Sequence, residues 1–325
     1  MLKKWLKGLL KGNKTKEKKK LKFIMMIGLS GAGKTTLAKE IKRKYNYELL
    51  SSDALRKELL HDENDQTQNA FIFEEMRKRT IKYLKEGKSV IYDATNLTVK
   101  SRRTILNSIK RYDCERIAYV VRTPFRTCLK NNRERKRCIP TEVIYKQRNK
   151  FQIPFKEEGF DEIIIEALER DINKYEVLNP VFSAAEIMVG VDQNSSHHKH
   201  SLFIHSMKTF EEVVKRGVFI PKSLKVASIL HDIGKLQTKT PKENNESESC
   251  YYSHDNVGAY TLLESCEILG LTYEGILDCL FYVNYHMLPF QIKEEKTKEK
   301  YLKMWGEIKF NNIMLLHQAD LEACE

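Results

Sequence analysis

The chain has 325 residues, enough for two domains of ordinary size, and 41% of them are hydrophobic, so each domain can bury a core. No run approaches the roughly 18 consecutive apolar residues that a membrane-spanning helix needs. The basic N-terminus lacks the apolar core and cleavage site of a signal peptide. Seven scattered cysteines without a C-x-x-C pair argue against a disulfide framework or zinc finger. We therefore expect a cytoplasmic protein with free thiols and no stable membrane insertion.

The net charge of +13 is concentrated in two segments of the first half. Residues 1–22 hold ten lysines against one glutamate, and residues 101–150 hold fifteen basic against four acidic side chains. Residues 151–200 and 251–325 are acidic. A localised basic surface suits a polyanionic partner. For residues 1–22 three interpretations stay open: a solvated, partly disordered extension, a nucleic-acid arm or a helix on a membrane surface.

In the first half, short apolar runs alternate with helical patterns. The run Phe23–Leu29 predicts a buried strand, and a helix is predicted to follow over Thr35–Tyr45. This alternation indicates an α/β domain with a parallel sheet flanked by helices. The further predicted elements are strands at Tyr47–Ser51, Lys88–Tyr92 and Arg116–Val121 and a helix at Thr98–Arg111.

From about residue 200 the pattern changes to long amphipathic stretches, which indicate an all-α domain. The clearest stretches are His205–Lys215, Ser223–Asp232 and Tyr260–Leu269, and Thr238–Ser249 is predicted to be a flexible polar loop. We predict four segments: a basic extension at 1–22, an α/β domain at 23–170, a linker at 171–193 and an all-α domain at 194–325.

A phosphate-binding loop follows the first predicted strand. The segment Gly28-Leu-Ser-Gly-Ala-Gly33-Lys34-Thr35 matches G-x-x-x-x-G-K-[ST] and opens a predicted helix, the context that the motif requires. Its backbone N–H groups can surround phosphate oxygens, Lys34 can reach the β- and γ-phosphates, and Thr35 can ligate Mg²⁺. The sequence therefore predicts ATP with Mg²⁺. The predicted contacts are Gly28, Ser30, Gly31, Ala32, Gly33, Lys34, Thr35 and Thr36.

Further along the domain, three sets of polar residues suggest phosphoryl transfer. Asp53 ends the second predicted strand and could accept a proton from an attacking hydroxyl, or could simply cap a helix. Arg56, one helical turn on, could hold an acceptor phosphate or be a surface arginine. Asp93 and Asn96 follow another strand, where side chains face the crevice of such sheets, although Asn96 could be only a turn former. Three alternate arginines at 133–137 could form a lid or a solvated basic face.

Over residues 22–165 these motifs resemble the phage polynucleotide kinase family. The resemblance is carried by Gly28–Thr36, Ser51-Ser-Asp53-x-x-Arg56, Tyr92-Asp93-Ala-Thr-Asn96-Leu and the arginine-rich segment that ends at Pro140. It implies that Asp53 is the general base for a 5′-hydroxyl, that Arg56 engages the acceptor strand and that Arg135 binds the donor phosphates. The family's Arg-Asn pair appears here as Asn131-Asn132, so Arg133 or Arg137 would have to replace the second lid arginine.

The second half contains eight of the nine histidines. His231-Asp232-Ile-Gly234-Lys235 ends an apolar helix, and adjacent His and Asp side chains can bind one metal if the backbone turns there, which Gly234 would permit. Imidazole and carboxylate ligands together suit Mn, Fe, Co, Ni or Zn better than Ca. The other candidate ligands are His205, His254, His286 and Asp320.

The order H…HD…H…H…D over residues 194–325 resembles the HD phosphohydrolase superfamily. The resemblance implies that His205, His231, Asp232 and Asp320 bind a metal, and that His254 and His286 bind a second metal or the phosphate. Lys235 would then stabilise the phosphate. One or two divalent ions such as Mn²⁺, Ni²⁺ or Co²⁺ are expected. We interpret the histidines at 197, 198 and 200 as a polar turn with His198 the strongest exception, and His317 as at most an outer neighbour of the site.

Together the halves resemble bifunctional RNA end-healing enzymes that join an HD phosphohydrolase to a polynucleotide kinase, although the described order places the HD domain first. The HD part also resembles that of bacterial tRNA nucleotidyltransferases, which favours RNA over DNA. This resemblance implies phosphorylation of 5′-hydroxyl ends and hydrolysis of 2′,3′-cyclic phosphate or 3′-phosphate ends, with a separate ligase as a further partner. Two alternatives remain: a nucleoside or metabolite kinase fused to an HD-type 5′-nucleotidase, and a non-enzymatic RNA-binding regulator.

Overall fold

The computed structural model describes residues 20–135, 137–172, 179–194, 200–217 and 219–324. The chain divides into two compact units. Among the described residues, the first unit contains residues 20–144 and Glu158–Leu168, and the second contains Tyr145–Glu157 and the chain from Glu169 onward. Most of the predicted basic extension, together with His197 and His198, lies outside the described residues.

The first unit is built on a five-stranded sheet in which every neighbouring pair of strands is parallel. The strand order is β2-β3-β1-β4-β5. The central strand is apolar along most of its length and buried from Phe23 to Ile27, as expected for a parallel strand covered on both faces. The strands are β1 (Leu21–Ile27), β2 (Glu48–Ser51), β3 (Val90–Asp93), β4 (Cys114–Val120) and β5 (Glu162–Ile165).

Helices connect these strands, as the alternating sequence pattern predicts. They are α1 (Lys34–Tyr45), α2 (Ser52–Leu60), α3 (Asn69–Lys85), α4 (Val99–Ile109), α5 (Phe125–Glu134) and α6 (Thr141–Arg148). A fully buried ion pair, in which the Arg102 guanidinium donates to both carboxylate oxygens of Glu158 at 2.8 and 2.7 Å, joins α4 to the segment before β5. Strand β5 and helices α3 and α5 were not among the elements predicted from the sequence.

The second unit is predominantly helical. Its helices are α7 (Asn179–Ala185), α8 (Leu202–Lys215), α9 (Lys222–Leu230), α10 (Lys235–Thr238), α11 (His254–Glu264), α12 (Tyr273–Tyr285), α13 (Glu295–Trp305) and α14 (Glu307–Glu322). Residues 238–249, expected to be a loop, instead lie largely in an antiparallel hairpin of β6 (Thr240–Lys242) and β7 (Asn245–Cys250). The turn Glu243-Asn244 between these strands supplies the polar residues that hairpins favour.

The unit boundaries differ from those predicted. Residues 145–157 were assigned to the α/β domain, but they group with the second unit. The Asn284 side chain accepts from the Ile153 N–H at 2.7 Å and donates to the Phe151 carbonyl at 3.2 Å. The Phe151 ring also packs edge-on against Tyr260. The apolar sequence Phe151-Gln-Ile-Pro-Phe155 therefore buries itself among the helices of the second unit, and nothing in its composition marks it as a boundary.

Two smaller differences concern the predicted extension and linker. Leu21 and Lys22 belong to β1, so the segment before the sheet is shorter than the 1–22 expected. Part of the predicted linker 171–193 is helical, because α7 and a 3₁₀ turn at Glu186–Met188 lie within it. Among the described residues, no helix has the length and apolarity to span a membrane.

Candidate active sites

The phosphate-binding loop lies between β1 and α1. Glycines occupy the positions where the backbone has a positive φ or where another segment lies too close for a side chain. Gly31 has φ +82°, and a Cβ there would collide with the Cys128 carbonyl oxygen. Gly33 has φ +95° and caps α1. Both positions therefore favour glycine. Two side chains hold the loop from outside: Thr123 donates to the Ala32 carbonyl at 2.7 Å, and Asn131 donates to the Gly31 carbonyl at 2.9 Å.

Lys34, Thr35 and Asp93 lie together at the start of α1. Thr35 Oγ1 donates to Asp93 Oδ2 at 2.7 Å, and Lys34 Nζ donates to the Leu29 carbonyl at 2.8 Å. Burial lowers the pKa of Lys34 and raises the pKa of Asp93, against the attraction between the two charges. A loop threonine next to a buried aspartate at a strand end is the arrangement that holds Mg²⁺ in P-loop proteins, so the donor set fits the expected ion.

Asp53 is held between two arginines. It is not the N-cap of α2, which is Ser51, but lies in the first turn with its side chain 46% exposed. Arg56 donates to Asp53 Oδ1 at 3.0 Å and to Asn69 Oδ1 at 2.6 Å. Arg137 pairs with the other oxygen of Asp53. The carboxylate is thus positioned by Arg56 and Arg137 while keeping an exposed surface for an acceptor.

The three arginines of the arginine-rich segment have different environments and do not form one continuous surface. Arg133 is exposed and reaches only the Leu129 carbonyl, at 3.4 Å. Arg137 also donates to Asn64, at 2.9 Å, so it lies on the Asp53 side. Arg135, the residue expected to bind donor phosphates, is half-buried, and its pKa is lowered by burial and by Arg137. The Nε atom of Arg135 is buried, and no described residue forms a hydrogen bond with it.

Asn132 shapes the segment that carries these arginines. Its side chain donates to the Ile139 carbonyl at 2.8 Å and accepts from the Ile139 N–H at 3.1 Å. It is almost fully buried, so both of these bonds form away from water. Asn131 and Asn132, which interrupt the family pattern in the sequence, therefore support the loop and the lid rather than replacing an arginine.

In the second unit, the six predicted metal ligands converge although five structural segments supply them. Asp232 is at the centre. Its Oδ2 lies 3.5 Å from His205 Nε2 and 3.4 Å from His231 Nε2. Its Oδ1 lies 3.2 Å from His254 Nε2 and 3.6 Å from His286 Nε2. One carboxylate therefore joins two histidine pairs, an arrangement that offers two adjacent positions for cations.

Asp320 completes the first of these positions. Its Oδ1 lies 2.9 Å from His205 Nε2 and 3.4 Å from His231 Nε2. Three histidines are oriented by their other ring nitrogen: Nδ1 of His231, His254 and His286 bonds the carbonyl of the residue three positions earlier, at 2.9, 2.7 and 2.8 Å. A carbonyl only accepts, so each Nδ1 carries a proton and each Nε2 faces the centre. Such outer hydrogen bonds are typical of histidines that bind metals.

The electrostatics of this cluster favour positive charge. Burial by itself lowers the pKa of His231, but Asp232 and Asp320 outweigh it and raise the pKa to about 10. Burial opposes ionisation of Asp232, yet Lys235 and His231 hold its pKa well below the usual range. Nε2 of His231 is buried and has no hydrogen-bond partner among the described residues. Buried carboxylates that hold a histidine as a cation, and a ring nitrogen without a partner, fit a site built for a divalent metal.

Lys235 lies beside the centre. Its Nζ is 2.7 Å from Asp232 Oδ2, donates to Gln193 Oε1 at 2.8 Å and faces the Tyr251 ring at 5.4 Å. The adjacent Gly234 has φ −66°, so it is not needed for an unusual turn as we expected. A Cβ at Gly234 would instead collide with the His254 carbonyl. Position 234 requires glycine because the start of α11 lies too close to leave room for a side chain.

Two further described histidines, His200 and His317, are not among the six candidate ligands. His200, predicted to be in a polar turn, contacts Lys208 Nζ through Nε2 at 2.6 Å, and its carbonyl accepts from Gln193. His317 stacks edge-on against Phe290, and its pKa is lowered by burial. No sequence pattern pointed to Asn69, Gln193 or Tyr251, because each takes part only through contacts with distant segments.

Comparison with known proteins also gives two successive parts, although the first family match extends past residue 144 into the segment 145–157. A family model described as AAA domain matches residues 23–154, and one described as HD domain matches residues 203–320. The curated L-seryl-tRNA(Sec) kinase of Methanococcus maripaludis is 28% identical over 169 residues, half of this chain and 66% of that protein, just under two thirds of its length.

Two solved structures are similar in fold to part of this chain. One is the Pnkp1/Rnl/Hen1 RNA repair complex, 22% identical, with a TM-score of 0.39 over 46% of this chain and 49% of that one. The other is a gluconokinase from Sinorhizobium meliloti 1021, 13% identical, with a TM-score of 0.34 over 47% and 86%. These scores are too low to carry an argument about function. The phosphate-binding loop thus lies within the part of the chain that matches the AAA domain model, and the six candidate His and Asp ligands lie within the part that matches the HD domain model.

Proposed function

We propose that the protein heals nucleic-acid ends, preferably of RNA: the first unit phosphorylates 5′-hydroxyl ends with ATP, and the second hydrolyses 2′,3′-cyclic phosphate or 3′-phosphate ends. The observation that carries the proposal is the position of Asp53. Its side chain is half-exposed and forms ion pairs with Arg56 and Arg137, in the same unit as the phosphate-binding loop. A carboxylate so placed suits a hydroxyl acceptor whose neighbouring phosphates the arginines can hold.

In the kinase reaction each residue has a distinct role. Asp53 accepts the proton of the attacking 5′-hydroxyl as its oxygen bonds to the γ-phosphorus, and ADP leaves. Lys34 and Arg135 stabilise the charge on the transferred group. Thr35 and Asp93 would hold Mg²⁺, which would neutralise negative charge on the phosphates of ATP. Arg56 and Arg137 orient both Asp53 and the acceptor strand.

In the hydrolase reaction the six His and Asp side chains would hold one or two divalent transition metals, such as Mn²⁺, Ni²⁺ or Co²⁺. When bound, such ions lower the pKa of a water and neutralise phosphate oxygens. Lys235 adds a positive charge next to Asp232, where a phosphate oxygen would lie. Water adds to phosphorus, and the bond from phosphorus to the sugar oxygen breaks.

The assignment of the two reactions to opposite ends rests on chemistry and charge. A 5′-phosphatase would undo the product of the attached kinase, whereas RNA cleavage often leaves a 5′-hydroxyl and a 2′,3′-cyclic phosphate, and a ligase needs both ends converted. The basic segments 1–22 and 101–150 suit a polyphosphate strand. The curated relative is named for a seryl-tRNA, so an acceptor hydroxyl joined to RNA has a precedent in that alignment.

A competition experiment tests the proposal. The full-length protein receives ATP, Mg²⁺ and Mn²⁺ with a 5′-hydroxyl oligoribonucleotide and an equal concentration of mixed nucleosides, and separately a 3′-phosphate oligonucleotide with free 5′-nucleotides. We expect the oligonucleotide ends to be converted first in both mixtures. Conversion of nucleosides and 5′-nucleotides with inert oligonucleotide ends would instead support the metabolite kinase with a 5′-nucleotidase.

A further inference from the structure

A cysteine that belongs to neither motif lies against the metal centre of the second unit. One ligand atom each from His205, Asp320 and Cys324 lie within 4.8 Å of one another. Ligands on opposite sides of one ion, at bond lengths of about 2.0–2.3 Å, are separated by at most about 4.6 Å. The three atoms are therefore close to the spacing at which they would share one cation.

The C-terminal end of α14 places the Cys324 thiol near Asp320. Asp320 lies in the last turn of the helix, and Ala323 continues the right-handed conformation with φ −71° and ψ −13°. The Cys324 N–H then donates to the Leu321 carbonyl at 3.1 Å. Cys324 is thus four residues beyond Asp320, the spacing that places two side chains on the same side of a helix and lets two histidines share a zinc ion in H-E-x-x-H motifs.

A second observation indicates that a cation belongs here. His231 is fully buried, and its Nε2 has no hydrogen-bond partner in the part of the chain that the structure describes. This atom lies 3.4 Å from Asp320 Oδ1. Its Nδ1 is bound to the Ser228 carbonyl, so Nε2 is directed toward the carboxylates of Asp232 and Asp320. A cation shared by these side chains would satisfy the nitrogen that has no partner.

We propose that Cys324 supplies a thiolate ligand to the ion held by His205, His231 and Asp320. The proposal rests on metal binding by the second unit, but not on the substrate proposed for it. A thiolate is a soft ligand, so it favours Co²⁺ and Zn²⁺ over Mn²⁺ and Mg²⁺. Cys324 therefore sets which metal occupies this position.

Cobalt absorption of the full-length protein tests the assignment. Visible bands report that Co²⁺ is bound, whereas a near-ultraviolet charge-transfer band reports a bond from sulfur to cobalt. We expect both in the wild-type protein. Cys324→Ser and Cys324→Ala are expected to keep the visible bands, lose the near-ultraviolet band and bind Co²⁺ at least about tenfold more weakly, with a smaller loss for Mn²⁺. Far-ultraviolet circular dichroism checks that both variants fold.

Cys250→Ser is the matched control, because Cys250 is another half-exposed thiol of the same unit on β7 and is expected to leave the spectrum unchanged. Visible bands without a near-ultraviolet band in the wild type would overturn the thiolate and leave the metal centre intact. A near-ultraviolet band that survives Cys324→Ala would also overturn it. Absence of all cobalt bands would overturn the thiolate and the proposed metal centre together.

Discussion

The two sites of this chain are assembled in opposite ways. The phosphate-binding loop gathers its donors from one continuous stretch, Gly28–Thr36, between a strand and a helix. The proposed metal centre gathers six candidate ligands from His205 to Asp320, across separate helices and turns. A local motif is secured by glycines and neighbouring side chains, whereas a dispersed centre exists only when the helical unit is packed. The first is therefore expected to tolerate distant changes better than the second.

The largest expected effect comes from Asp232, which joins both histidine pairs. Asp232→Asn removes one charge from a carboxylate that four histidines and Lys235 contact. We expect phosphohydrolase activity to fall to background, and added Mn²⁺ to lose its effect on the Tm, since stabilisation by a ligand requires binding. Exposed Asp171→Asn, in the same unit, is the matched control. A Tm that still rises with Mn²⁺ in Asp232→Asn would contradict the central role of this carboxylate.

Asp53→Asn tests the other site with a change of similar size. General-base catalysis contributes about 10²–10⁴-fold, so kcat for 5′-hydroxyl phosphorylation is expected to fall by that factor. The KM for ATP is expected to change little, because Asp53 is assigned to the acceptor. The same substitution at Asp113, whose side chain is 92% exposed, serves as the control. Near-normal turnover by Asp53→Asn would remove Asp53 from the role of base.

Asn284→Ala measures how strongly the second unit depends on distant contacts. Asn284 bonds the backbone of Phe151 and Ile153 and the side chain of Asn256 in a buried setting. Leaving these groups without partners is expected to cost about 1–3 kcal/mol of unfolding free energy. Urea denaturation measures it, and exposed Asn244→Ala, expected within about 0.5 kcal/mol of wild type, is the control. Equal stability of the two variants would mean that the segment 145–157 is not held by Asn284.

The smallest expected effect concerns the basic N-terminal segment. Because β1 begins at Leu21, the deletion that spares the fold is residues 1–19. Each lost phosphate contact lowers the salt slope for single-stranded binding by about 0.7. Fluorescence anisotropy with a 5′-hydroxyl oligonucleotide at several salt concentrations measures the slope. An unchanged slope would favour the flexible or membrane-surface interpretation of the segment.

The contrast between a local motif and a dispersed site explains which residues could be predicted from the sequence. Lys34, Thr35, His231 and Asp232 belong to motifs whose spacing implies their geometry, so the sequence alone identifies them as candidates. The ion pair between Arg137 and Asp53 could not be predicted. It depends on the path of the segment between Asn132 and Ile139, which the hydrogen bonds of the Asn132 side chain to Ile139 hold.

Steric requirements were equally hidden from the sequence. Gly234 was expected to allow a turn, whereas it makes room for the carbonyl of His254 on another helix. The placement of 145–157 in the second unit depends on apolar contacts of Phe151 and Phe155 that composition alone does not assign. Contacts between segments distant in the chain decide each of these features.

We propose two independent sites that act on opposite ends of one strand. Their most direct test uses one RNA that carries both a 5′-hydroxyl and a 2′,3′-cyclic phosphate. Wild type, Asp53→Asn and Asp232→Asn are each incubated with this RNA, ATP, Mg²⁺ and Mn²⁺, and both ends are read by mass spectrometry. We predict that wild type converts both ends, that Asp53→Asn converts only the 3′ end and that Asp232→Asn converts only the 5′ end. Loss of both conversions in either folded variant, or failure of wild type to convert either end, would contradict the account.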